Sequence, residues 1–232
     1  MPAPVTFLVL DLDGTVLDTV PGIVRSLAYA CEKLLDTRLD DTHLTAGIGT
    51  PLYAQMADHY RFVKGVEGSH EEIRRLCDTY IEHNRAHHDE TVRPFPGMAT
   101  ALEALTSAGL GLGIVTSKPQ AIARRGLRLT KLETYFQFVI GFDDVVHPKP
   151  HPEPILKALN LAGKSKTEVV FIGDSPHDLV AGQAAGIRTA AALWGPFSKH
   201  RLEKHAPDFW LVESASLVEA FVTANDLTAN DP

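Results

Sequence analysis

A short apolar run that ends in two acidic residues constrains the fold more than any other feature of the sequence. Val5 and residues 7–10 are apolar without the alternation of a half-exposed strand, which predicts a central strand of a sheet covered on both faces. Asp11 and Asp13 follow directly, and Gly14 comes next. Because ligands of parallel α/β sheets bind beyond the carboxyl ends of the strands, the sequence predicts chemistry at these two acids.

The spacing of Asp11 and Asp13 leads to a second prediction. In a continuing strand the two side chains would share a face, and Gly14 would let the backbone turn away directly afterwards. Carboxylates this close repel each other unless a cation or a shared proton intervenes, so the pair predicts a metal site. The alternative is that the segment only caps a turn, since Asp and Gly are common turn formers.

Length and charge argue against several classes of function. The chain has 232 residues and a formal net charge of −7, which fits one domain with a substantial insert and argues against a nucleic-acid partner. No apolar run is long enough to cross a bilayer, and no basic region precedes the first apolar residues, so we expect a cytoplasmic protein without a membrane partner. Cys31 and Cys77 lie in helix-like segments and are expected to be small buried hydrophobes.

The order of predicted elements indicates two domains. Residues 18–92 show helical periodicity and contain no strand candidate. From residue 98 onward helices and strands alternate, which predicts right-handed crossovers and a doubly wound parallel sheet. The expected architecture is therefore an α/β core of residues 1–17 and 93–232, with an inserted all-helical cap of residues 18–92.

Several element boundaries follow from local signals. Ser69 and Glu72 have the spacing of a capping box and predict that a helix starts there. Residues 228–232 are expected to fray. After the insertion, the predicted strands cover residues 111–116, 136–141, 168–173, 187–192 and 209–211, and the predicted helices cover residues 98–107, 119–130, 152–161 and 176–185.

Polar residues with anion-binding potential occur after the predicted strand at residues 111–116 and in a later proline-rich loop. Thr116 and Ser117 offer hydroxyl and backbone N–H groups that lead into a helix, which is an arrangement that cradles anions. The alternative is ordinary helix capping. Lys149 lies between two prolines, and a lysine fixed in this way supplies a point charge for a phosphate. The alternative for Lys149 is a solvated loop position.

A third apolar run, residues 169–172, leads through Gly173 to another acid. Asp174 and Asp178 are four positions apart, so both side chains can point into one site as the chain enters the next helix. Either acid alone would be explained by helix capping, but four acids after two strands argue for a site. Carboxylate oxygens without nearby thiolates favour Mg²⁺ as the cofactor.

In order and spacing, Asp11-Leu12-Asp13-Gly14-Thr15, Thr116, Lys149 and the segment from Gly173-Asp174 to Asp178 resemble the four motifs of the haloacid dehalogenase-like hydrolase superfamily. The resemblance covers nearly the whole chain, including a helical cap between the first and second motifs. It implies that Asp11 is a nucleophile that forms an aspartyl-phosphate. It also implies that Asp13 first protonates the leaving group and then activates water.

The same resemblance implies binding roles for the remaining motif residues. Thr116, the Ser117 N–H and Lys149 would hold the phosphoryl oxygens. Asp11, the Asp13 carbonyl and Asp174 would bind Mg²⁺, and Asp178 would be either a further ligand or the partner of one.

A finer resemblance concerns the loop Gly47-Ile48-Gly49-Thr50-Pro51-Leu52, which looks like the substrate loop of phosphoglycolate phosphatases and related pyrophosphatases. It implies that Gly49 and Thr50 contact a small phosphorylated substrate, with phosphoglycolate first and pyrophosphate as the alternative. Sugar phosphomutases resemble the core but carry a histidine where this chain has Ile23. A non-catalytic interaction protein is the remaining alternative, and the intact acids argue against it. A monomer and a homodimer both stay open.

Overall fold

Eight strands and ten α-helices are present in the computed structural model, which describes residues 4–223. In chain order the strands are β1 (Phe7–Leu10), β2 (Leu17–Asp18), β3 (Arg93–Pro94), β4 (Gly111–Val115), β5 (Phe138–Ile140), β6 (Val169–Gly173), β7 (Arg188–Ala192) and β8 (Phe209–Leu211). The helices are α1 (Val20–Leu35), α2 (Asp41–Ala46), α3 (Leu52–Lys64), α4 (His70–Thr91), α5 (Met98–Ser107), α6 (Gln120–Leu129), α7 (Glu153–Ala162), α8 (Pro176–Ala185), α9 (Lys199–Leu202) and α10 (Ser216–Val218), and a π-helical turn (Glu219–Thr223) follows α10.

Six of the strands form one parallel sheet in the order β5-β4-β1-β6-β7-β8. Helices connect successive strands of this sheet, as parallel pairing requires. The predicted α/β class with a doubly wound parallel sheet is therefore confirmed. Strand β1 lies near the middle, between β4 and β6, so its carboxyl end is flanked by the ends of two other strands.

The β1 strand is buried on both faces, as its sequence predicts. Phe7 and Val9 pack into a cluster with Ile155 of α7 and Ala181 of α8. Because side chains alternate along a strand, Leu8 and Leu10 point to the opposite face, where both are fully buried. Full burial of side chains of this size contributes about 1.5–3 kcal/mol each. This packing on both faces fixes the end of β1, and therefore the position of Asp11, which follows it.

Two details differ from the sequence-based expectations. Strand β1 ends at Leu10 and does not continue to Asp13, because the chain turns at once: the N–H groups of Val16 and Leu17 both donate to Leu12 O. Asp18, expected to begin the helical insertion, instead lies in β2, which pairs antiparallel with β3.

Helices α1 to α4 form a compact unit of their own, residues Thr19–Val92. The capping box at its last helix is confirmed, because Ser69 Oγ accepts from the Glu72 N–H and a Glu72 carboxylate oxygen accepts from the Ser69 N–H at 2.8 Å. The apolar stripe of α1 packs with α3 and α4 around fully buried Leu27 and Met56.

The described residues up to Asp18 and from Arg93 onward make up the second compact unit, which contains the parallel sheet. Within residues 4–223, each helix is too short or too polar to span a lipid bilayer. The expected fraying of residues 228–232 concerns positions outside the described part of the chain.

Candidate active site

The carboxyl ends of three neighbouring strands meet at one edge of the sheet. Leu10, the last residue of β1, pairs with Ile114 of β4 and with Ile172 of β6, so the three strands end almost level. Asp11 follows β1, Thr116 follows β4 and Asp174 follows β6. Residues more than 100 positions apart in sequence are thereby brought together.

Three carboxylates form a tight buried cluster at this edge. Asp11, Asp174 and Asp178 each place an oxygen within 4.8 Å of the others, and all three residues are buried. Burial raises the pKa of Asp11 to about 7, with Asp178 and Asp13 adding to the rise and Lys149 opposing it. Burial likewise raises the pKa of Asp174 well above its usual range, helped by the charges of Asp178 and Asp11.

Lys149 supplies a positive charge inside this cluster. Its Nζ atom lies 2.8 Å from Asp11 Oδ1 and 2.6 Å from Asp178 Oδ1, and the residue is only 2% exposed. Burial by itself would lower the pKa of this amine, but the two carboxylates outweigh burial and raise it. The structure thus places Lys149 inside the site and not in a solvated loop.

The balance of charge in the cluster fits a divalent cation. If all three carboxylates are ionised, they and the one ammonium group carry a net charge of −2, and carboxylate oxygens are the ligands that Mg²⁺ prefers. Asp178 Oδ1 accepts from Lys149, and its Oδ2 accepts from the backbone and hydroxyl of Ser175. This arrangement favours Asp178 as the residue that positions Lys149.

The Gly14 backbone lies directly against the carboxylate of Asp174. Its φ is +87°, a value that favours glycine, and a Cβ at this position would lie 2.6 Å from Asp174 Oδ2. The glycine of the first motif therefore lets the backbone turn and also lets it approach the carboxylate closely.

Asp13 does not join the carboxylate cluster through its side chain. Its Oδ1 accepts a hydrogen bond from Lys118 Nζ at 2.6 Å, and both side chains are largely buried. The expectation that Asp11 and Asp13 share a strand face is wrong, because the strand has already ended and the chain has turned.

Lys118 was not among the predicted site residues, although it stands two positions after Thr116. The available signal was that this lysine lies in the turn directly after β4, and that the neighbouring strand β1 is followed by Asp11 and Asp13. Thr116 itself is buried, and its Oγ1 accepts from the Lys118 N–H at 3.2 Å. Ser117 is half-buried in the same turn.

Two predicted substrate contacts lie in the helical unit. Gly49, with φ +94°, and Thr50 belong to the turn between α2 and α3, where the Thr50 N–H donates to Gly47 O at 3.1 Å. A role for these two residues in substrate binding stays a prediction.

Further residues around Asp174 were missed by the sequence-based reasoning. Thr15 Oγ1 donates to Asp174 Oδ1 at 2.7 Å, and Trp194 Nε1 donates to Thr15 O at 2.9 Å. Gly195 packs directly on Asp174, since a Cβ there would lie 2.3 Å from Asp174 Cβ. The available signal was that Trp194 and Gly195 follow a predicted strand. That strand, β7, lies beside β6 and ends at the same edge of the sheet.

Comparison with known proteins places this geometry in a family. Residues 8–192 match the family model described as haloacid dehalogenase-like hydrolase. The chain is 36% identical over 211 residues to pyrophosphatase PpaX of Bacillus cereus, covering 91% of this chain and 94% of that protein. It is 34% identical to pyrophosphatase PpaX of Anoxybacillus flavithermus, with the same coverage.

Solved structures show the same fold. The crystal structure of a "predicted phosphoglycolate phosphatase" from Haemophilus somnus superposes with a TM-score of 0.84 at 21% identity, covering 93% of this chain and 97% of that one. The matched residues span the carboxylates, the lysine and the strands that carry them. The chain therefore belongs to the haloacid dehalogenase-like hydrolase family.

Proposed function

We propose that this protein hydrolyses a small phosphorylated compound through a phosphoryl group carried on Asp11, with Mg²⁺ as its cofactor. The observation that carries the proposal is the placement of Asp11 at the end of a rigid buried strand, 2.8 Å from Lys149 and within a cluster of three carboxylates. A nucleophilic carboxylate needs the charge of its anionic substrate to be neutralised, and this site concentrates the groups that do so.

The proposed steps use residues of this chain. A carboxylate oxygen of Asp11 attacks phosphorus, the bond from phosphorus to the leaving oxygen breaks, and Asp13 gives that oxygen a proton. A water molecule then attacks phosphorus while Asp13 accepts its proton, and the bond to Asp11 breaks, which releases phosphate and restores both acids. Lys149, Thr116 and the Ser117 N–H hold the phosphoryl oxygens.

Mg²⁺ would be held by Asp11, Asp174 and the Asp13 carbonyl, with Asp178 orienting Lys149. When bound, the ion supplies positive charge that offsets the charge on the phosphoryl oxygens and favours the ionised form of Asp11.

Pyrophosphate is the substrate that the comparisons support best. The relatives that are 34% and 36% identical over nine-tenths of the chain are both named pyrophosphatases. Phosphoglycolate, favoured by sequence, is the second candidate, and the Gly49 and Thr50 loop, which resembles that of phosphoglycolate phosphatases and of the related pyrophosphatases, is compatible with both substrates. Both substrates present the same terminal phosphoryl group to Asp11, so the chemistry is common to the two.

The test is a comparison of kcat/KM for pyrophosphate and for 2-phosphoglycolate in Mg²⁺, with the Asp11→Asn protein as the control. We expect faster hydrolysis of pyrophosphate and a loss of at least about a thousandfold in the variant. Preference for 2-phosphoglycolate would reverse the order of the two candidates. Near-normal turnover by Asp11→Asn would overturn the covalent mechanism. In a separate assay with a sugar phosphate, isomerisation without release of free phosphate would indicate a mutase.

A further inference from the structure

We infer that Trp194 is a positioning residue of this site and orients the carboxylate of Asp174 through Thr15. The inference rests on the proposed function to the extent that Asp174 binds Mg²⁺. It concerns a side chain in the loop after β7, outside the motifs that carry the proposed chemistry.

Trp194 lies two residues beyond the end of β7 and is half-buried. An indole ring has one polar group, an N–H donor, and in Trp194 this group donates to Thr15 O at 2.9 Å. The bond therefore fixes the turn after β1 from a loop nearly 180 positions later in the chain.

Thr15 transmits this constraint to the carboxylate cluster. The residue is fully buried, and its Oγ1 donates to Asp174 Oδ1 at 2.7 Å. Because its carbonyl is held by Trp194 and its hydroxyl is bound to Asp174, displacement of the Thr15 backbone changes the direction in which the hydroxyl points. The link from indole to carboxylate thus consists of two hydrogen bonds through one residue.

The Trp194 ring is itself held in place. It makes an edge contact with the Phe95 ring, with centroids 6.4 Å apart, and the Phe95 N–H donates to Val16 O at 3.3 Å. The next residue, Gly195, packs against Asp174 with no space for a side chain. The loop after β7 therefore contacts Asp174 directly on one side and controls its hydrogen-bond donor on another.

Replacement of a residue that hydrogen-bonds to a metal ligand and orients it commonly weakens metal binding by about 10- to 100-fold. Trp194 acts through Thr15, so we expect the lower end of this range for Trp194→Phe, which keeps an aromatic ring and removes the N–H. Thr15→Val removes the hydroxyl that contacts Asp174, and we expect a larger loss, up to about 100-fold. Thr15→Ser keeps the hydroxyl and should retain most of the affinity.

The chain offers a matched control, because its only other tryptophan is Trp210. Trp210 lies in β8 and packs partly buried against a cluster that includes Phe197 and Leu202. Trp210→Phe makes the same chemical change without a bond to Thr15. It also leaves Trp194 as the sole tryptophan, so that fluorescence reports on the Trp194 environment alone.

The experiment measures the Mg²⁺ dissociation constant of the full chain by calorimetry, with the melting temperature in EDTA as a check of folding. We expect about tenfold weaker binding for Trp194→Phe, unchanged binding for Trp210→Phe, and a saturable fluorescence change on Mg²⁺ addition in the Trp210→Phe protein. Unchanged affinity in Trp194→Phe overturns the inference. If that variant does not fold, equal affinities of Thr15→Val and Thr15→Ser overturn it.

Failure of the proposed function can be told apart from failure of this inference. If the wild-type protein binds Mg²⁺ but hydrolyses neither substrate, the proposed reaction fails, and the affinity ratios of the variants still decide the role of Trp194. If the wild-type protein does not bind Mg²⁺, both fail.

Discussion

The ammonium group of Lys118 lies 2.6 Å from the carboxylate of Asp13, and the two side chains are only 11% and 14% exposed. The pair connects the turn after β4 to the turn after β1 and fixes the acid that we propose as proton donor and acceptor. Without the amine, Asp13 loses both its orientation and the partner of a largely buried charge.

Replacement of Lys118 by Met is therefore expected to lower kcat for the better substrate about 10- to 100-fold, which is part of the usual contribution of acid–base catalysis. Steady-state kinetics will measure the effect. Lys204→Met, at an exposed lysine outside the site, serves as the control and should leave kcat unchanged. Full activity in Lys118→Met would show that Asp13 does not need Lys118 for its role.

The stability of the metal-free protein should depend on pH through Asp11. Its pKa is raised to about 7 by burial, against an ordinary value of 3.8. The folded state then holds a proton that the unfolded chain releases, and the stabilisation from this proton is complete below the unfolded pKa and is lost as pH rises through about 7.

Asp11→Asn imitates the protonated carboxyl at every pH, so the difference between variant and wild type follows the ionisation of Asp11 together with its effect on the neighbouring charges. In urea unfolding with EDTA, we expect Asp11→Asn to gain stability relative to wild type as the pH rises from about 4 to about 7, and the difference to level off above that. A difference that does not change with pH would contradict the prediction.

Gly195→Ala should damage the carboxylate site by displacing Asp174. The added Cβ would lie 2.3 Å from Asp174 Cβ and 2.9 Å from Gly14 O, and neither atom can yield without movement of the backbone. We expect the rise in melting temperature on Mg²⁺ addition, which the wild-type protein should show, to shrink or disappear.

A second glycine separates this effect from a general loss of stability. Gly163 ends α7 at φ +62° and has no atom within 4 Å of an added Cβ. Gly163→Ala should cost about 1 kcal/mol from backbone strain and leave the Mg²⁺ shift intact. Equal Mg²⁺ shifts in both variants would disprove the role of Gly195.

The two cysteines should be unreactive in the folded protein. Both thiols are buried, and burial raises the pKa of Cys31 and of Cys77 to about 11, so little thiolate is present at pH 8. Reaction with an aromatic disulfide reagent is expected to be slow in buffer and rapid, at two thiols per chain, in urea. Fast modification of either cysteine in buffer would contradict their packing.

Local patterns explain which features could be predicted from sequence. The unbroken apolar run of β1, the capping box at Ser69 and the alternation after residue 98 depend on neighbouring residues alone, and the structure confirms them. The acids after β1 and β6 could be predicted for the same reason, because each directly follows a strand that is recognisable from its apolar residues.

The remaining features depend on contacts between distant segments. The place of Lys118 directly after a predicted strand indicates that it lies near the site, but only the folded structure shows that its amine reaches Asp13, 105 positions earlier. The bond from Trp194 to Thr15 likewise needs the strand order, which places β7 beside β6. The turn at Leu12 was missed because its hydrogen bonds compete with continued pairing of the strand, and composition does not show which of the two is more stable.

The β2 and β3 ribbon closes the base of the helical insertion. Leu17 pairs with Pro94 and Asp18 with Arg93, so the chain leaves the α/β unit and returns to it on adjacent strands. The helical insertion therefore joins β2 to β3 in the way that a long loop would, with its two ends held side by side by the pairing of these strands. Evolution can therefore lengthen, shorten or exchange this segment without disturbing the register of the strands, because both ends of the insertion stay fixed by the same pair of strands.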